Sequence, residues 1–164
     1  IGDMLAEVAA KQEAEQEPFI PGREFILGLI ALILAVSALM SLFVARWWQA
    51  LLYNPGGFAE EFHGLRLQPA VAGFLLLAVI GATRLPNGYE FWAELVAVPL
   101  LLAGLALVHH VVKFLQAGRQ WLVFMYVGLI FFGPSVGVLL VGLGFADSVM
   151  NLRSRLAAVK NRQP

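Results

Sequence analysis

Residues 25–44 constrain this chain more than any other segment. The run carries no charged side chain, and Ser37 and Ser41 are its only polar members. At roughly 1.5 Å per helical residue it measures about 30 Å, the thickness of a bilayer's hydrocarbon core. A run of this kind has one stable solvent, lipid, and one stable form there, a helix that satisfies its own backbone. Composition agrees. The chain is 60% hydrophobic and 13% charged, with a mean hydropathy of +0.78. Soluble domains carry about 25% charged residues, so there is too little polar side chain here to coat a water-facing surface.

Three further apolar runs follow. We read spans at about 25–45, 67–83, 91–115 and 121–145, which makes the chain an all-α, multi-pass transmembrane bundle. Residues 67–83 are rich in Gly and Ala, which allow close helix approach in lipid. The fourth run has Gly133-Pro134 at its middle, and a proline there removes a backbone hydrogen bond and kinks a helix. Residues 1–24 form an acidic N-terminal segment. Its Ile1, Met4, Leu5 and Val8 have the spacing of a short amphipathic helix. Residues 148–164 form a basic tail. The chain opens on Ile1 rather than Met, without a signal-peptide pattern, and is read as lacking sequence upstream.

The segment from residue 46 to 66 is the most distinctive. Arg46, Trp47 and Trp48 close the first run as an interfacial anchor, since Arg snorkels and Trp favours the headgroup level. Tyr53 precedes the turn Asn54-Pro55-Gly56-Gly57. Phe58, Phe62 and Leu65 then share one face of a short interfacial helix that ends near Arg66. Two readings stand for this segment: a membrane anchor, or a lid or docking surface for another subunit.

Few residues are candidates for chemistry. Glu94 is the acid with the most apolar surroundings, and is either a ligand or proton site, or a headgroup-level acid or a structural partner of Arg84. His109 and His110 are consecutive and point about 100° apart, so at most one faces a given cavity. They lack the i, i+3 or i+4 spacing of a helical metal site. They are either polar packing or interfacial residues, or a ligand or proton site. Asp147 ends the fourth run and is expected to pair with Arg84 or with the basic tail. No metal or cofactor is expected. There is no phosphate-binding Gly-rich loop, zinc-protease histidine pair or serine nucleophile elbow. With zero cysteines and a formal net charge of zero, thiol chemistry is excluded and nucleic-acid binding is not expected. Nothing in the sequence asks for an enzyme.

Counting Lys and Arg by side sets Lys11, Arg23, Arg84, Arg153, Arg155, Lys160 and Arg162 against Arg46, Arg66, Lys113 and Arg119. The bias favours cytoplasmic termini.

The run Ala45-Arg46-Trp47-Trp48-Gln49-Ala50-Leu51-Leu52-Tyr53-Asn54-Pro55-Gly56-Gly57-Phe58, with Glu61-Phe62 and Leu65-Arg66-Leu67, resembles the YybS-like bacterial inner-membrane proteins of unknown function. A second, more diffuse match comprises Leu105 to His109, Trp121 to Val123 and Asp147-Ser148. The resemblance covers roughly residues 18–156, and is with the proteobacterial branch. It implies a longer protein with further helices upstream, in a bacterial inner membrane. It also implies a distant relation to the substrate-binding subunits of energy-coupling-factor vitamin transporters, which work with ATP-binding cassette subunits. Two functions follow as expectations. One is a non-enzymatic subunit that meets other membrane subunits or copies of itself in the bilayer. The other is a small-molecule transport subunit with its ligand near Glu94 or His109 and His110.

Overall fold

The computed structural model describes residues 20–160, together with Gly2 and Met4; the expected N-terminal amphipathic helix lies outside the described residues. Every regular element among the described residues is an α-helix. In chain order they are α1 (Arg23–Tyr53), α2 (Gly57–Gly64), α3 (Pro69–Ala82), α4 (Glu90–Phe114), α5 (Gln120–Phe131), α6 (Gly133–Met150) and α7 (Leu152–Lys160). Three helices, α1, α4 and α6, are long and apolar enough to cross a membrane, and the α2–α3 pair, bent by 70°, makes a fourth if counted as one span.

The turn at Asn54-Pro55-Gly56-Gly57 forms as its residues require. Asn54 caps α1 through its N–H to the Ala50 carbonyl at 2.8 Å, and Gly56 takes φ 92°, a left-handed conformation that glycine adopts without strain. This reverses the chain, so α2 folds back along the last turns of α1. Phe58 and Phe62 then meet Phe43 of α1, with ring centroids 6.1 and 6.0 Å apart. Arg46 donates from Nε to Glu61 at 2.7 Å, which fastens α1 to α2.

Helices α1 and α4 run parallel. At one end Phe25 meets Phe91 at 4.9 Å, and Trp92 Nε1–H donates to the Glu24 carbonyl at 3.1 Å over the buried Gly28. At the other end Phe62 bridges from Phe43 to His109. The return helix α3 brings the chain back to the 84–88 turn beside Phe25, where Gly88 (φ 105°) lies against the start of α1.

The core is the contact of α4 with α6. Leu100, Ala103, Ala106, Leu107 and Leu140 are buried there. Gly104 and Gly144 set its spacing: a Cβ on Gly104 would overlap the Leu140 carbonyl, and one on Gly144 would overlap that of Leu100. Backbones this close gain dispersion energy, the main attraction between helices in lipid. The two helices are parallel: Gly137 faces Leu101, Gly144 lies by Gly104, and beyond α6 the Lys160 ammonium sits 4.8 Å from the Phe114 ring.

Two features depart from the sequence reading. The segment expected as one kinked span, 121–145, is two helices that break at Phe132. The chain folds back at this break, since Val136 comes within 3.6 Å of where a Gly128 Cβ would lie. At 12 residues α5 is about 18 Å long, short of the hydrocarbon thickness. Helices α5 and α6 therefore leave from and return to the same end of the bundle. As a consequence the tail helix α7 does not join the 84–88 turn, as the charge count expects. It packs by the 114–116 turn and the end of α2.

Candidate functional site

A cavity of about 540 Å³ lies between α1, α2, α4 and α5. Phe43 and Trp47 come from α1, Phe58, Phe62 and His63 from α2, His109 from α4 and Tyr126 from α5. Each is placed by local sequence. The Asn54–Gly57 turn aims the Phe58 and Phe62 face of α2 inward, and His63 follows Phe62 round the helix. The 115–119 turn lays α5 against α4 and brings Tyr126 to His109.

The polar groups form a short chain. His109 Nδ1 is 2.9 Å from the Leu105 carbonyl, and its Nε2 is 3.3 Å from the Tyr126 hydroxyl. A carbonyl only accepts, so Nδ1 carries the proton toward Leu105. In the neutral ring Nε2 then accepts from the Tyr126 O–H. His63 is different. Its ring centroid is 6.2 Å from that of His109, and its buried Nδ1 has no hydrogen-bond partner among the described residues. Among the described residues the lining contains no Asp, Glu, Lys or Arg.

The other candidates are dispersed. His110 points away from the cavity and stacks on Phe114, as the 100° divergence requires. Glu94 is exposed near the start of α4 and has no ion pair among the described residues, so Arg84 is not its partner. It lies fifteen residues from His109 along one helix, about 22 Å, so the two do not share a site. No group of three or more His, Cys, Asp or Glu among the described residues is arranged to hold a metal ion.

The 46–66 segment divides. Trp47, Phe58 and Phe62 line the cavity, while Trp48 and Tyr53 are exposed at 59% and 83%. Arg46 is taken up by Glu61 and Gln49, and Arg66 donates to the Ser148 carbonyl at 3.0 Å. Asn54, Pro55, Gly56 and Gly57 build the turn itself. The two arginines thus fasten the fold, and the exposed aromatics remain as outward surface.

A second polar cluster sits where α6 meets α7. Asp147 is 1% exposed, and its Oδ2 lies 2.9 Å from Arg153 Nε. The Arg153 guanidinium also donates to the carbonyls of His63 and of Leu65, the latter at 2.7 Å. The tail is the partner here, one of the two the sequence offered for Asp147.

The place of His63 in the cavity lining was missed in the sequence, where it reads as part of the polar face of an interfacial helix. Its position beside Phe62 was the available signal. No family model, curated protein or solved structure matches the chain.

Proposed function

We propose that this chain is a non-enzymatic subunit of a larger membrane assembly, in a bacterial inner membrane as the resemblance implies. The observation that carries this reading is how little α1 and α5 use their own bundle. Helix α1 has 31 residues and buries only Gly28 and Ala50, and α5 buries none. Helix α1 turns one half-buried stripe through Leu32, Ala35, Leu39 and Phe43 toward the bundle, and leaves the rest of its surface exposed, with Ala38, Ser41 and Ala45 outward. Small exposed residues of this kind favour a further helix as neighbour.

Charge favours one orientation. Among the described residues, the end that holds α2, the 115–119 turn and α7 carries Arg46, Arg66, Lys113, Arg119, Arg153, Arg155 and Lys160, against Arg23 and Arg84 at the other. The positive-inside bias then makes the α7 end cytoplasmic and the Arg23 end external.

The test is purification from native membranes in mild detergent, with mass spectrometry of what stays bound. Stable association with other membrane proteins, or with further copies of the chain, supports the reading. A lone protomer carrying only lipid overturns it. The second reading, a small-molecule transport subunit, is favoured by the cavity at His109; co-purifying ATP-binding cassette subunits would select it.

A further inference from the structure

We propose that the cavity between α1, α2, α4 and α5 binds an uncharged, lipid-soluble molecule with a flat ring that bears a carbonyl or hydroxyl oxygen, anchored by His63. The claim concerns occupancy of the cavity and is independent of whether the occupant is moved across the membrane.

Four features lead to this chemistry. The volume, about 540 Å³, falls within the range of small-molecule sites and suits one ring system with a short substituent. The walls are rings: Phe43, Trp47, Phe58, Phe62 and Tyr126 supply faces and edges against which a flat apolar body packs. No formally charged side chain among the described residues lines the space, and Arg46, next to Trp47, is already held by Glu61, so none of them would compensate a charged ligand.

The fourth feature sets the polar contact. His109 and Tyr126 already satisfy one another and the Leu105 carbonyl, whereas His63, also in the lining, makes no side-chain hydrogen bond among the described residues; its Nδ1 is shut away from contact, which leaves Nε2 as the nitrogen a ligand can reach. A ligand oxygen at Nε2 would give the ring the hydrogen bond that its protein neighbours do not supply. Because imidazole nitrogen either donates or accepts, a carbonyl or a hydroxyl fits equally. Access runs from the lipid, past the exposed flank of α1 at Met40, Val44 and Trp47.

Equilibrium binding of a radiolabelled short-chain benzoquinone, in its oxidised and its reduced form, to the full chain in lipid nanodiscs tests the proposal. Saturable binding of either form near one per chain is expected above the partition into empty nanodiscs. His63→Phe keeps the ring and the packing but removes the hydrogen bond, and should weaken binding roughly tenfold, the worth of about one such bond. Ala59→Leu narrows the cavity from α2 and should weaken it further. Size-exclusion and thermal unfolding profiles confirm that each variant is folded. Non-saturable uptake equal to that of empty nanodiscs overturns the proposal. So does saturable binding that folded His63→Phe leaves unchanged, because the molecule would then sit elsewhere.

Discussion

Arg153 and Asp147 form an ion pair at 2.9 Å with the carboxylate 1% exposed, at the junction where the last long helix hands over to the tail. Asn151 makes the junction possible: it takes φ 50°, ends α6 in a left-handed cap, and turns α7 back so that Arg153 reaches Asp147. The pair is coulombic more than hydrogen-bonded, since Arg153 Nε and Asp147 Oδ1 are buried without hydrogen-bond partners among the described residues. Arg153 also holds the carbonyls at the end of α2, so one guanidinium joins three elements.

Removing the acid should therefore cost more than a surface pair would. Asp147→Ala leaves a nearly buried guanidinium without its counter-charge, a change typically worth about 3–5 kcal/mol. Unfolding in detergent, followed by circular dichroism, should show that loss. A change below about 1 kcal/mol would mean that the carbonyls alone satisfy Arg153.

The α4–α6 contact makes a second prediction. Gly104→Ala and Gly144→Ala each place a methyl group on a backbone carbonyl of the opposite helix, where no side chain can yield. Overpacking of this sort costs about 1–3 kcal/mol or more. Gly73→Ala and Gly81→Ala add a methyl group to open space and should leave unfolding nearly unchanged. Equal effects in the two pairs would contradict the close crossing.

Sidedness is open to a direct check because the chain has no cysteine of its own. Single replacements Ala117→Cys and Ala157→Cys should react with a membrane-impermeant maleimide from the same side, and Asn87→Cys from the opposite side. Labelling of Ala157→Cys together with Asn87→Cys would restore the sequence-based arrangement, with the tail beside the second turn.

Much of the fold was legible in the sequence because lipid imposes simple rules. An uncharged run of bilayer length had to become α1, and Asn54-Pro55-Gly56-Gly57 had to reverse the chain. Phe58 and Phe62 share a face because they stand four residues apart, and His109 and His110 diverge because they are adjacent. The fold-back at Phe132 was not legible. Helices α5 and α6 are apolar nearly all round, so hydrophobic periodicity carries no direction for them. What decides it is tertiary: α6 is drawn along α4 where Gly104 and Gly144 let the backbones meet. The cavity was half visible. His109 stood out as a polar residue in a span and the turn before α2 was legible, but which ring atoms of α2 would meet α4 depends on tertiary packing that no local pattern specifies.

The most direct test of the assembly reading is site-specific photo-crosslinking in the native membrane. A benzophenone amino acid is placed at Leu34 on α1 and, separately, at Ile130 on α5, which are 64% and 79% exposed. The account predicts a discrete higher-mass protein adduct, to another subunit or to a second copy, from at least one of these positions. Photolysis of the incorporated group at both positions with only monomer recovered would mean that lipid alone covers these helices, and would contradict it.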